Sequence, residues 1–266
     1  MVQQHNAEAA RAWGHGGANY NFISFGLSDS LSHAVQVLWP KPGEHILDVA
    51  TGTGWTARLA AGLGARVTGI DFADPLLEAA RGLSAHLADN LSFQHGDAEA
   101  LPFDNGVFDG VISTYGVIFA AMPDAAISEL ARVTKKGGRM VLLTWLDDQE
   151  GYISQFFSLV GRYADTDPPK VSPFVWGNRD WIETAFSGSF DVTSTAHTTT
   201  LFAPDTETLW QKYRSGFGPM DLVANGLSPA RLAAMRQEFH DIHARYDTGQ
   251  GLRINRAALL VQGRRL

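Results

Sequence analysis

Apolar positions along this chain follow two rhythms: short runs with strand character, and longer stretches that repeat every three or four residues. Ile46, Leu47 and Val49 make one short run, with Asp48 polar in its midst. Thr51-Gly52-Thr53-Gly54 follows as a turn whose glycines let the backbone approach a ligand closely. Trp55 to Ala61 carries helix-compatible residues, and Gly62 and Gly64 punctuate its end. Arg66 to Ile70 is a second strand that delivers Asp71 at its edge. Together these form a βαβ half-unit, whose ligand crevice lies beyond the strand ends.

The two rhythms continue on either side. Asp74-Pro75 reads as a helix start, with an acceptor at N-cap and proline at N1, and Leu76, Leu77, Ala80 and Leu83 form its buried stripe. Leu91 to Phe93 is a third strand ending at His95-Gly96-Asp97, and Val107 to Ser113 is a fourth that exits through Thr114-Tyr115-Gly116. Asp124 is expected to cap a helix with Ile127, Leu130 and Val133 inward, and Lys135-Lys136-Gly137-Gly138 to close it. Arg139 to Trp145 is the fifth strand, Phe190 to Leu201 the sixth and Leu252 to Val261 the last. Between the later strands, Tyr152 to Tyr163, Asp205 to Phe217 and the stretch from Ser228-Pro229 to Tyr246 keep helical spacing. Ahead of the first strand, Asn6 to Trp13 and Leu31 to Leu38 read as helices around a polar-aromatic segment, Asn19 to Phe25.

The pattern predicts an α/β fold with seven strands. Four regions divide the chain: 1–42 as an N-terminal helical cap, 43–146 as the ligand-binding core, 147–188 as an insertion, and 189–266 as the remainder of the sheet with inserted helices. The proline-rich, aromatic bend from Asp165 to Gly177 is read as part of a substrate lid. One structural domain is expected overall.

Composition narrows the function classes. A net charge of −7 and the lack of a basic stripe disfavour a nucleic-acid partner. The absence of cysteine excludes disulfides, a thiol nucleophile and cysteine-ligated metal, and points to the cytoplasm. No segment is apolar for long enough to span a membrane, and the first ten residues are unlike a signal peptide. No metal is expected: His240 and His243 lack a clear third ligand and are read as helical surface.

The ligand is not settled by the glycines. Gly52-x-Gly54-x-x-Ala57 satisfies the dinucleotide fingerprint, and Asp71 would serve a ribose in that reading as well, so a nicotinamide-dependent oxidoreductase stays open. Two features lead elsewhere. Asp48 sits within the strand, where it could meet a cationic group, and a second acid-bearing turn, Gly96 to Pro102, follows one βα unit later.

The segments LDVATGTGW (47–55), GIDFADPLLEAAR (69–81), GDAEALPFDNGVFD (96–109) and ELARVTKKGGRMVLLTW (129–145), in this order and spacing, resemble the class I S-adenosylmethionine-dependent methyltransferases. Within them the likeness is to the small-molecule group that includes the ubiquinone/menaquinone C-methyltransferases. Ala50 departs from the pattern, standing where many members carry the first glycine of the loop. The resemblance implies a Rossmann-like, mostly parallel seven-stranded sheet with helices on both faces. It implies S-adenosylmethionine as cofactor and S-adenosylhomocysteine as product, a small organic acceptor, and an N-terminal section folded over the cofactor, while the aromatic residues of the expected lid favour an aromatic or apolar acceptor. A homodimer is compatible with this. So is a module that binds the cofactor without turnover.

Each part of S-adenosylmethionine then has a candidate partner. Asp71 would accept both ribose hydroxyls, Asp97 the adenine amino group, and the Ala98 N–H would serve a ring acceptor. Phe72 is placed to cover an adenine face. Ala50, Thr51, Gly52 and Gly54 bring backbone to the amino acid tail, Asp48 offers charge for its ammonium, and Thr114 closes the fourth strand nearby. Tyr20 is carried over from the family as the tyrosine near the methionine part. Phe119, Phe174 and Trp176 are candidate lid residues, and His15 and Tyr115 are candidate bases if the acceptor is a hydroxyl, with His95 a weaker one.

Overall fold

In a computed structural model of the chain, residues 2–165 and 168–266 are described. Seven strands form one sheet: β1 (His45–Val49), β2 (Arg66–Asp71), β3 (Leu91–His95), β4 (Phe108–Thr114), β5 (Thr134–Trp145), β6 (Phe190–Ala203) and β7 (Leu252–Arg265). Their order is β3-β2-β1-β4-β5-β7-β6. The first five pair in parallel, and β7 runs antiparallel to both β5 and β6. β1 is buried from Ile46 to Val49, as expected of a central parallel strand covered on both faces. Edge strand β6 alternates in exposure along much of its length.

The chain runs from β1 outward to β3 and then returns to place β4 on the other side of β1. That reversal is a topological switch point, where the connections leave the strand ends in opposite directions and open a crevice. The helices are α1 (Ala7–Gly14), α2 (Tyr20–Phe25), α3 (Ser28–Leu38), α4 (Trp55–Gly62), α5 (Asp74–Leu83), α6 (Pro123–Val133), α7 (Tyr152–Tyr163), α8 (Arg179–Phe186), α9 (Thr206–Gly216), α10 (Gly218–Asn225) and α11 (Pro229–Ala244). α3 packs on α4, β4 and β5, while α1 reaches α5 and α10, so the N-terminal helices sit against the crevice side.

Several local expectations change. α6 ends at Val133 and the chain enters β5 at once, so Lys135 to Gly138 belong to a strand and not to a helix cap. Thr134 pairs with Phe108 and Arg139 with Gly110, which leaves extra residues on β5 as a bulge, with Gly137 at φ 70° supplying the left-handed step. Thr134 Oγ donates to Leu130 O at 2.6 Å, satisfying a last-turn carbonyl that glycine was expected to serve. Asp74 and Asp124 lie inside the first turns and neither accepts a cap bond. A proline in the first turn of each helix removes one of the donors that a cap would satisfy.

The insertion is less lid-like than its composition suggests. α7 packs on α10, α11 and β7. Trp176 has no exposure and meets Trp181 and Phe186 edge-on, which makes it core. Phe174 is partly buried beside Phe157. Thr166 and Asp167, within the proposed lid, lie outside the described residues. His243 is also core: it stacks on Phe239 at 3.9 Å, its Nδ1 pairs with Phe239 O, and Tyr152 Oη lies 2.9 Å from Nε2. Burial pushes its pKa down to about 4. Among the described residues no three histidine or carboxylate side chains gather as a metal site, and no helix is long and apolar enough to cross a membrane.

Candidate functional site

Where β1 ends, three residues adopt left-handed backbone in quick succession: Ala50 at φ 56°, Gly52 at 55° and Gly54 at 81°. This alternation curls the loop so that α4 begins directly after it. A Cβ at Gly54 would meet Phe93 at 2.8 Å, so that glycine is required by space as well as by φ, and one at Gly52 would meet the Tyr20 ring at 3.3 Å, a tight contact added to its left-handed φ. Ala50 has no such freedom. An L-residue there costs roughly 1–2 kcal/mol relative to right-handed backbone. Ala50→Gly is therefore expected to raise stability by about 0.5–1 kcal/mol in denaturant unfolding. A loss would mean that Ala50 Cβ, packed against Gly116, matters more than its backbone.

Asp71, at the end of β2, holds the loop in place. Its Oδ2 accepts from Gly52 N at 2.8 Å and its Oδ1 from Ala73 N at 2.9 Å. The residue is 5% exposed, and burial pushes its carboxyl up to about 6 against the pull of these bonds. Each oxygen keeps a lone pair. Both Asp71 and Gly52 line a cavity of about 90 Å³ at the switch point.

The second acid reaches the same cavity from the turn after β3. Asp97 Oδ1 accepts from Glu99 N at 3.0 Å, and its Oδ2 accepts from Gln3 N and Asn6 Nδ2, both at 2.9 Å. Beside it, His5 Nε2 lies 2.6 Å from the buried Glu99 carboxylate. The N-terminal segment is thus fastened across this end of the cavity.

The cavity brings together Tyr20, Ala50, Thr51, Phe72, Ala98 and Thr114 with these acids, and Tyr115 and Phe119 form its other end. Thr114 Oγ1 lies 2.9 Å from Thr56 Oγ1. Tyr115 is at φ 58°, an uncommon conformation for a bulky residue, and stacks on Trp145 at 4.0 Å. Its hydroxyl donates to Ser30 Oγ at 3.2 Å, and burial raises its pKa. Tyr20 is likewise raised by burial, with the nearby Asp71 charge adding to it. Both phenols hold their protons.

Five candidates do not line the cavity. Asp48 lies beneath the loop, where Oδ2 accepts from Thr51 Oγ at 2.6 Å and Oδ1 has no partner among the described residues. Burial drives its carboxyl up to about 7, partly opposed by the Thr51 bond. Any influence it has on the tail passes through the loop. Gly54 shapes the turn and does not face the space. His15 pairs with Asp221 on α10 at 2.9 Å and stands away from the cavity. Phe174 and Trp176 lie elsewhere, as described. His95, the weaker base, bonds Phe72 O at 3.0 Å instead.

Sequence reasoning missed Asn6, Trp13, Leu31 and Trp55, all of which line the cavity. Trp13 meets Phe119 at 4.6 Å and Tyr20 edge-on at 6.0 Å, closing the space from α1. Trp55 Nε1 donates to Asn21 Oδ1 at 2.7 Å and ties α2 to the start of α4. The one signal in the sequence was a tryptophan at each of these helix ends. Their convergence is a long-range fact.

Residues 47–142 match the family described as "Methyltransferase domain". An uncharacterized protein of Mycobacterium tuberculosis is 38% identical over 145 residues, 54% of this chain and 52% of that protein. A demethylmenaquinone methyltransferase of Thermus thermophilus is 39% identical over 146 residues, 54% of this chain and 63% of the other. The chain thus spans about half to two thirds of the length of these relatives. Among solved structures, one described as a putative methyltransferase from Bacillus halodurans superposes with a TM-score of 0.61 at 20% identity, covering 89% of this chain and 98% of the other.

Proposed function

We propose that this chain, whose residues 47–142 match a methyltransferase domain, is a class I enzyme that transfers a methyl group from S-adenosylmethionine to a small, aromatic or apolar acceptor by in-line displacement. The observation that carries the reading is the pair of buried carboxylates, Asp71 and Asp97, brought to one cavity from the ends of neighbouring strands. The residues present fit the cofactor. A desolvated carboxylate with lone pairs to spare suits a ribose diol, and a loop with no Cβ at left-handed Gly52 lets backbone approach the tail.

When bound, S-adenosylmethionine supplies a methyl group activated by its sulfonium. The chain's own residues hold and enclose it. Asp71 accepts from the ribose, and Phe72 lies beside the base. Trp13, Tyr20, Tyr115 and Phe119 wall the far end, exclude water and present aromatic faces toward a cation. Fixing the reacting atoms in line contributes up to roughly 7–11 kcal/mol to such a reaction. The lining tyrosines keep their protons, and among the described residues no histidine lines the space. The acceptor therefore arrives as a nucleophile already, either an electron-rich ring carbon or an acidic phenol. The demethylmenaquinone methyltransferase relative is compatible with this chemistry.

The match over 47–142 weighs against the nicotinamide alternative. A small-molecule partner, no nucleic acid and a cytoplasmic site of action complete the proposal. Incubation with methyl-labelled S-adenosylmethionine and a panel of naphthols, quinols and phenols tests it. Label is expected in at least one aromatic product that is heavier by one CH2. Tight binding of the cofactor with no product across the panel would favour a module without turnover.

A further inference from the structure

Asn6 stands just ahead of α1, is 3% exposed and lines the cavity beside Asp97. Its Nδ2 donates to Asp97 Oδ2 at 2.9 Å, an orientation the carboxylate forces, since two oxygens facing each other would repel. The Asn6 Oδ1 is thereby turned away from that oxygen, and it accepts no hydrogen bond from any described residue. Asp97 has little capacity left. Oδ2 already takes Gln3 N and Asn6 Nδ2, and Oδ1 takes Glu99 N. The carboxylate offers one free lone pair on Oδ1, and Asn6 supplies the neighbouring acceptor.

We propose that Asn6 is a specificity-determining residue for the nucleobase: its carbonyl and the Asp97 carboxylate form an acceptor-only pair that takes both N–H bonds of an aminopurine and rejects a 6-oxopurine. This rests on the cofactor reading above. An exocyclic amine has two hydrogens for two acceptors. An oxo group would set its own oxygen against both acceptors, and the one N–H a 6-oxopurine carries beside it, at N1, would face the Ala98 N–H that serves the adenine ring acceptor, donor against donor.

The same segment is tied at a second point that does not touch the cavity. His5 meets Glu99 at 2.6 Å and is half-exposed. Loosening the segment can therefore be separated from losing the Asn6 carbonyl. The test is calorimetric titration of the full chain with S-adenosylhomocysteine and with S-inosylhomocysteine, its deaminated counterpart. The unaltered protein is expected to prefer the adenosyl compound by about a hundredfold or more. Asn6→Ala is expected to weaken adenosyl binding about tenfold and leave inosyl binding within about twofold, so that the preference shrinks. Asn6→Ser keeps a hydroxyl donor for Asp97 but replaces the carbonyl by a shorter hydroxyl with lone pairs of its own, and should give a smaller loss of preference in the same direction if alanine impairs folding. His5→Ala should shift both compounds by one common factor. If Asn6→Ala and Asn6→Ser weaken both compounds equally and the preference survives, Asn6 only anchors the segment and the proposal is wrong. If neither compound binds the unaltered protein, the cofactor reading has failed and the proposal falls with it.

Discussion

Asp71→Ala is expected to reduce affinity for S-adenosylhomocysteine by about a hundredfold or more, roughly 3 kcal/mol, for the loss of two charge-assisted hydrogen bonds to one ribose. The carboxylate also fixes Gly52 N and Ala73 N, so the loop relaxes as the diol loses its partner. Global folding should survive, because the substitution removes a buried charge and leaves the apolar core intact. A pH profile separates this role from simple loop support. The free carboxyl, pushed up to about 6 by burial, must be ionised to accept from both hydroxyls. Binding should strengthen as pH rises to about 6 and then level off, and this slope should vanish in Asp71→Ala. Unchanged affinity in the variant would remove Asp71 from the site.

Asp48→Asn is expected to alter stability in a pH-dependent way. Asp48 is 1% exposed, with one oxygen bonded to Thr51 and the other unpartnered among the described residues. Burial raises its carboxyl from the ordinary 3.8 to about 7 in the folded chain. A raised carboxyl contributes stability that is fully present below the unfolded value and lost as pH rises through the folded one. Asparagine carries no such dependence. The stability of the variant relative to the unaltered protein should therefore increase by roughly 2–4 kcal/mol between pH 4 and pH 8, read by denaturant unfolding at both. Parallel curves would mean that Asp48 titrates as an ordinary exposed acid. The charge that destabilises the empty fold is the one the cationic tail would favour, so cofactor affinity should fall in the same variant.

What the sequence disclosed was local. Ile46 to Asp71 could be read because its strand, turn, helix and second strand are continuous in the chain, and each glycine states its own backbone requirement. Asp97 could be read because a short strand ends just before it. The residues that escaped depend on distant neighbours. Asn6 and Asp97 meet across 91 positions, and no periodicity marks that contact. Trp176 reads as a lid aromatic in a proline-rich bend, yet it is fully buried against Trp181 and Phe186. Lys135 to Gly138 has the composition of a helix terminus, and the pairing of β5 with β4 made it a bulge. His15 sits near a flexible-looking glycine run, but Asp221, far along the chain, draws it away from the cavity.

On the proposed function, two buried carboxylates hold one nucleoside in one cavity. A crystal structure of the chain grown with S-adenosylhomocysteine tests it directly. The ribose hydroxyls are expected within hydrogen-bond distance of Asp71, with the base beside Phe72 and its amino group toward Asp97. A nucleoside bound elsewhere, or lying in this cavity with Asp71 still bonded to Gly52 and Ala73 alone, would contradict the account.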